Sequence, residues 1–216
     1  MRILTICAIL LTFVACKKES TQTPIGYTGN GLQHFPLNHG SYWVYEHYSI
    51  DTLINQIGPK NAHDSVYSDR DTLINGYKYT VLTGKTPFNM LTTSIVAIVR
   101  DSSGCIVNHE GAIWMNENNF HDTINRWNLI LGDTVLYADA YSIMEEFKGL
   151  IETPSGTYSN GLNAKETVIQ YSGIPPLVRY NHHIYVKNVG KVLETYFYAG
   201  NTHRWFERRL KKYHIH

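Results

Sequence analysis

Charge is scarce in this sequence, and the little that is present is balanced. Charged residues make up 17% of the 216 residues and hydrophobic residues 43%, so the chain is not a disordered polyelectrolyte and can bury a core. Nineteen basic and 18 acidic residues leave a net charge of +1, which excludes the basic excess that drives non-specific binding to nucleic acid. At about 100–200 residues per domain, the length predicts a single domain.

The sequence also lacks the short motifs that mark catalytic and metal sites. It contains no His-Glu-x-x-His or Cys-x-x-Cys pattern, no Gly-x-Ser-x-Gly turn and no glycine-rich phosphate loop. The histidines are scattered, and the adjacent His182 and His183 point to opposite faces of a strand. Glu145 and Glu146 diverge in the same way, so they do not form a glycosidase pair. We therefore expect no metal, no cofactor and no enzymatic activity.

Long hydrophobic runs are confined to the start of the chain. Arg2 precedes an apolar run from Ile3 to Ala15, which Lys17 and Lys18 bring to an end. A helix needs about 20 apolar residues to cross a bilayer, so this run is too short to span one. A basic start followed by a short apolar stretch is typical of a secretory signal, here residues 1–15.

The signal ends on Phe13-Val14-Ala15-Cys16, which resembles the bacterial lipobox. The resemblance implies that Cys16 becomes the mature N-terminus and carries acyl chains such as palmitate; the alternative is a secreted protein cut near Ala15. Buried methylenes contribute about 0.8 kcal/mol each, so several chains anchor a protein without help from its charge. Residues 16–32 are otherwise polar and rich in Gly, Ser and Thr, which predicts a flexible tether before a β domain at 33–216.

Cysteine is nearly absent from the remaining chain. Of the three cysteines, Cys7 leaves with the signal and Cys16 is acylated, which leaves Cys105 alone. An intrachain disulfide is therefore excluded. We expect Cys105, beside Ile106, to be a small buried apolar side chain rather than a nucleophile.

The sequence is rich in aromatic and β-branched residues, grouped in short runs. Sixteen residues are Tyr, and such residues favour strands. Asn75-Gly76 lies between two runs and predicts a type I′ hairpin turn, and Gly200-Asn201 predicts the last turn. Residues 141–151 favour a strand, with a short helix around Met144 as the alternative. About ten strands with little helix predict an all-β fold, namely a single antiparallel barrel or half-barrel, or a two-sheet sandwich.

Three motifs carry a family resemblance. The opening Phe35-Pro36-Leu37-x-x-Gly40-x-x-Trp43-x-Tyr45, the turn Pro154-x-Gly156-Thr157-Tyr158 and the closing Val189-Gly190-Lys191-Val192 resemble those of a group of Bacteroidota lipoproteins. The resemblance implies a lipid anchor in the outer membrane and a β-rich body rather than a reaction. It leaves the periplasmic and surface faces both open. More distantly, the chain resembles periplasmic half-barrels related to lipoprotein carriers, which hold acyl chains in a concave sheet.

The aromatic residues are the candidates for binding. Trp43, Tyr45 and His47 lie on one face of the first predicted strand. They either fill a packed interior or line a cavity for a small amphiphile. The candidate ligand-binding residues are Trp43, Tyr45, Trp114, Trp127 and Trp205.

These observations favour a non-catalytic envelope lipoprotein that is held at the membrane by its acyl chains and binds a small amphiphile. One alternative is a structural lipoprotein that docks on an outer-membrane assembly through an exposed aromatic patch. Another is a surface glycan-binding module with coplanar tryptophans.

The last predicted strand carries basic side chains on both faces. Arg204, Arg208 and Lys212 alternate with Arg209 and Lys211. This pattern predicts a solvated edge strand that resists aggregation, with contact to an acidic partner as the alternative.

Overall fold

The computed structural model describes residues 33–54, 56–86, 89–131, 135–171, 175–197 and 203–216. The predicted signal, Cys16, the tether and the predicted turn at Gly200-Asn201 lie outside these residues. No helix within the described ranges has the length and apolar character needed to cross a bilayer. The strands found there are β1 (Tyr42–Asp51), β2 (Gln56–Ile74), β3 (Tyr77–Thr86), β4 (Asn89–Ser102), β5 (Cys105–Asn108), β6 (Ile113–Asn116), β7 (Thr123–Leu131), β8 (Val135–Thr153), β9 (Gly156–Gln170), β10 (Leu177–Val186), β11 (Gly190–Phe197) and β12 (Arg204–His214).

All twelve strands belong to one antiparallel sheet. Its order is β6-β5-β4-β3-β2-β1-β12-β11-β10-β9-β8-β7, so strands that are consecutive in sequence pair, except β6 and β7, and β12 returns to pair with β1. The two edge strands, β6 and β7, contact each other without forming a ladder. The sheet is therefore a nearly closed barrel, and the predicted all-β class is confirmed, while the alternative of two packed sheets is wrong.

Turn residues place the hairpins where the sequence predicts them. Asn75 and Gly76 have φ angles of +51° and +80°, the values that a type I′ turn requires at both central positions. Ser103 and Gly104 also have positive φ angles, +58° and +86°, between β4 and β5. Local turn chemistry thus sets the β2–β3 and β4–β5 hairpins.

The described residues form twelve strands where the sequence predicts about ten, and β7 is one that the sequence did not predict. Residues 141–151 are part of the 19-residue strand β8 and are not helical. β7 was not predicted, because Asn125, Arg126 and Asn128 give it the composition of a loop. Its polar residues suit an edge strand, where one side of the backbone has no strand partner.

The inner face of β1 is the one that the alternation predicts. Trp43, Tyr45 and His47 are all buried, with exposed fractions of 1%, 3% and 4%. The residues between them, Val44 and Glu46, are only half-buried. The side-chain period of two thus carries directly from sequence to core.

The edge assignment of the last strand is wrong. β12 lies between β1 and β11 near the middle of the sheet. Arg208 is 6% exposed and is flanked by the fully buried Leu210, whereas Arg209 and Lys211 lie on the opposite face and pair with Glu207 and Glu46. One of the basic residues, Arg208, therefore lies inside the barrel, where it pairs with the buried acids Asp64 and Glu194.

Candidate functional site

The barrel encloses a cavity of about 380 Å³ whose two halves differ in chemistry. Strands β2–β6 and the segment before β1 contribute mainly aromatic and aliphatic side chains. Strands β7–β12 contribute mainly polar and charged ones. The first set comprises Phe35, Val66, Leu82, Val96, Ile113 and Trp114 together with the cation Lys85, and the second comprises Asn125, Ser142, Glu166, His183, Lys191, Glu194 and Arg208 together with Ala164, Tyr185 and Tyr196.

Phe35 organises the aromatic part of the cavity. Its ring stacks on Trp43 with centroids 5.7 Å apart and planes 3° from parallel. It meets Trp114 and Tyr185 edge-on, at 6.5 Å and 5.9 Å. Such stacked and T-shaped pairs add to the energy of burial, and Trp43 is further fixed because its Nε1 donates to the Val189 carbonyl at 2.6 Å.

Arg208 organises the charged part. Its Nε and Nη2 donate to both oxygens of Asp64 at 2.8–2.9 Å, and its Nη1 donates to Glu194 Oε2 at 3.0 Å. Lys191 Nζ donates to Glu194 Oε1 at 2.6 Å. A buried ion-paired cluster is tolerated only when its hydrogen bonds are made, and here each carboxylate oxygen has a partner.

Two histidines complete this cluster. His47 Nε2 lies 3.0 Å from Asp64 Oδ2, and His183 Nδ1 lies 2.8 Å from Glu194 Oε1. Asp64 comes from β2, Glu194 from β11 and Arg208 from β12, so the cluster ties together strands from both ends of the chain. We call Asp64, Glu194, Arg208, Lys191, His47 and His183 the charged cluster.

The electrostatics keep Glu194 and Arg208 ionised. Burial raises the pKa of Glu194, but Lys191, His183 and Arg208 together lower it well below its usual range. Burial alone lowers the pKa of Arg208, yet Glu194 and Asp64 raise it above the usual value. The pKa of Tyr45 is raised, mainly by burial, so its hydroxyl stays protonated and donates to the Lys191 carbonyl at 3.0 Å.

The predicted binding residues separate into two groups. Trp43, Tyr45 and Trp114 line the cavity. Trp127 lies on the edge strand β7, is 38% exposed and donates from Nε1 to Glu166 Oε1 at 2.6 Å, while Trp205 lies in a separate cleft beside β10 and β11. The structure therefore brings three of the five together and places the other two elsewhere.

The charged cluster is the part of the site that sequence reasoning missed. Arg208 lies in step with Phe206 and Leu210, and this alternation was a signal that it points inward. The identity of its acids was not available from sequence, because Asp64 is 144 residues away.

The described residues offer little for catalysis. No three His, Cys, Asp or Glu side chains among them are close enough to hold a metal ion. Cys105 is half-buried and does not line the cavity, and burial raises the pKa of its thiol, which disfavours the reactive thiolate.

Comparison with known proteins bears on the fold. No protein-family model matches the chain, and no curated protein matches its sequence. A protein described as a lipoprotein from Parabacteroides distasonis is 14% identical, with 84% of this chain and 98% of that chain covered and a TM-score of 0.49. A protein described as exported, with a YmcC-like fold, from Bacteroides fragilis is 12% identical over the same coverage, with a TM-score of 0.51. The chain therefore shares the fold of the Bacteroides fragilis protein.

Proposed function

We propose that this chain is a non-catalytic, lipid-anchored protein of the outer membrane that binds one small amphiphile in its barrel. The observation that carries the proposal is the division of the cavity into an apolar half from β2–β6 and a polar half from β7–β12. A barrel filled only by its own side chains does not require this division. A ligand with an apolar tail and a polar head matches the two parts of the cavity. The resemblance of residues 13–16 to a lipobox supports the anchor.

The apolar half supplies the affinity for a tail. Val66 and Leu82 are buried, and Ile113 and Trp114 pack against the same core. Each methylene removed from water contributes about 0.8 kcal/mol, so a chain of eight to twelve carbons contributes about 6–10 kcal/mol before the entropic cost of association is subtracted. A volume of about 380 Å³ suits one such chain with its head group.

The charged side chains of the cavity determine the head group. Within the charged cluster, Arg208 and Lys191 already have carboxylate partners. Lys85, near the end of β3 in the otherwise apolar half, also lines the cavity, and among the described residues no carboxylate forms an ion pair with it. A cation facing a cavity favours an anion, so the proposed ligand is an amphiphile with an anionic head close to Lys85.

The test uses a twelve-carbon fatty acid with a diazirine at the end of its tail, added to the processed full chain in detergent micelles. Irradiation is expected to crosslink the tail to peptides from β2–β6, and unlabelled dodecanoate is expected to compete. Labelling confined to residues outside the barrel, or labelling that dodecanoate does not reduce, would contradict the proposal.

Two variants sharpen this experiment. Ala164 is 2% exposed and lines the cavity, so Ala164→Phe fills it and is expected to reduce specific crosslinking at least tenfold. Ser159 lies on the same strand with an exposed side chain, and Ser159→Phe is the matched control that leaves labelling unchanged. Lys85→Met is expected to weaken competition by dodecanoate while leaving an uncharged dodecanol unaffected, which provides a test that does not depend on filling the core.

A further inference from the structure

Strands β10 and β11 separate over half of their length. Their ladder begins at the His183–Glu194 pair and ends at the Val186–Gly190 pair. Before that point β10 pairs with β9 alone, and beyond it β11 pairs with β12 alone. At the end of the ladder the His182 backbone N–H donates to Thr195 Oγ1 at 2.8 Å, so a side chain replaces the missing backbone acceptor and the strands diverge.

The divergence opens a cleft of about 370 Å³ that is separate from the interior cavity. Three aromatic side chains line it, and two guanidinium groups and one carboxylate give it an excess of positive charge. These residues are Tyr180, Phe197, Trp205, Arg179, Arg204 and Glu207.

The charges of the cleft are held in place by their neighbours. Arg204 Nε donates to Asp51 at 2.6 Å, and Glu207 accepts a hydrogen bond from Arg209 at 2.7 Å. The guanidinium carbon of Arg179 lies 4.9 Å from the centre of the Phe197 ring. A fixed cation on an aromatic surface is suited to bind an anion that also presents C–H groups.

Asn181 provides the second, independent sign of a ligand. It is 7% exposed, and its Nδ2 donates to Glu166 Oε2 at 2.7 Å, which fixes the orientation of the amide. Its Oδ1 is buried and accepts no hydrogen bond from the described residues. A buried acceptor without a donor is destabilising and rare in native proteins, so a donor entering the cleft would remove this penalty.

We propose that the cleft between β10 and β11 is a second binding site, which takes a small hydroxylated carboxylate. The carboxylate pairs with Arg179, a hydroxyl donates to Asn181 Oδ1, and the C–H face of the ligand packs on Phe197 and Trp205. The cleft shares no lining residue with the interior cavity. The two meet at Glu166, which lines the interior cavity and accepts a hydrogen bond from Asn181.

The test is isothermal titration calorimetry on the processed full chain in micelles, with D-glucuronate as the probe. D-Glucose lacks the carboxylate that pairs with Arg179, and cyclohexanecarboxylate lacks the hydroxyl that donates to Asn181. One glucuronate is expected to bind per chain, with both analogues at least tenfold weaker. Equal heats from glucuronate and either analogue would overturn the proposal, as would the absence of glucuronate binding.

Matched variants assign the binding to the cleft. Asn181→Ala is expected to weaken glucuronate binding at least tenfold. Trp127→Phe removes the other hydrogen bond to Glu166 without altering the cleft, and it is expected to leave the affinity unchanged. Arg179→Met is expected to abolish glucuronate binding. It replaces Asn181→Ala as the test of the site if the thermal melt shows that Asn181→Ala does not fold. Unchanged affinity in a folded Arg179→Met chain would contradict the site.

Discussion

Arg208 on the last strand donates hydrogen bonds to both carboxylate oxygens of Asp64 on the second strand. The two residues are 144 positions apart in sequence, and strand β1 lies between their strands. Both side chains are almost fully buried. The ion pair therefore joins the two ends of the chain inside the barrel, next to the cavity that we assign to the ligand.

Removing Arg208 is expected to destabilise the fold strongly. Arg208→Met leaves Asp64 buried without its arginine and removes one of the cations that pair with Glu194, which costs about 3–5 kcal/mol when one partner of a buried pair is lost. Urea unfolding followed by tryptophan fluorescence measures the change. Arg209→Met is the control, because Arg209 bonds Glu207 on the outer face and such pairs contribute about 1 kcal/mol or less. Equal losses in the two variants would contradict the role of the charged cluster.

Stability is expected to fall in acid because of Glu194. Its pKa is held well below the usual range in the folded chain and returns to about 4.3 on unfolding. A lowered folded pKa means that the stabilisation is complete above the unfolded value and is lost as pH falls towards the folded one.

This pH dependence is measured from urea midpoints between pH 7 and pH 3. The difference in stability between the parent chain and Glu194→Gln is expected to narrow as pH falls below about 4.3. Glu146 is exposed and pairs with Lys148 at the surface, so Glu146→Gln is expected to keep the acid profile of the parent. A constant difference between Glu194→Gln and the parent at every pH would show that Glu194 is not the group responsible.

Gly190 is expected to tolerate no side chain. Its φ angle is +101°, and an added Cβ would lie 2.7 Å from Trp43 Nε1, where the indole donates to Val189. Gly190→Ala therefore combines backbone strain with overpacking, about 2–4 kcal/mol together. Gly76 has a φ angle of +80° with no heavy atom within 4 Å of the added Cβ, so Gly76→Ala carries the strain alone, about 1–2 kcal/mol. Thermal melts of the two variants compare these effects, and equal shifts would argue against the contact with Trp43.

Cys16 is expected to carry the lipid anchor. Cells that express the full chain and are fed an alkyne analogue of palmitate should label the parent protein and Cys105→Ser equally. Cys16→Ser should lose the label and leave the membrane fraction, because the acyl chains are its attachment. Membrane retention of an unlabelled Cys16→Ser chain would contradict the proposed anchor.

The sequence predicted those parts of the fold that depend on local chemistry. The positive φ angles at Asn75 and Gly76 and the inward row Trp43, Tyr45 and His47 follow from short-range rules. The start of β2 was missed because Gly58, Pro59 and Asn61 have the composition of a loop, and the return of β12 to β1 depends on pairing across the whole chain.

The candidate site was predictable only in its aromatic half. Trp43, Tyr45 and Trp114 are identified by their residue type and strand position, and they line the cavity. The charged half depends on Asp64, Glu194 and Arg208, whose residue types usually lie at the surface. They form a buried cluster only because the fold brings β2, β11 and β12 together. Trp205 lies at the divergence of two strands, a feature that no local pattern encodes.

Native mass spectrometry of the processed full chain, released from micelles in the spectrometer, tests the central claim most directly. The spectrum of the parent chain purified from envelopes is expected to show one bound molecule of a single, defined mass. The molecule released on dissociation is expected to be an amphiphile. The Ala164→Phe chain is expected to lack this mass, and Ser159→Phe is expected to keep it. A bare parent mass under conditions that preserve weak complexes, or the same added mass on all three chains, would contradict an amphiphile-binding barrel.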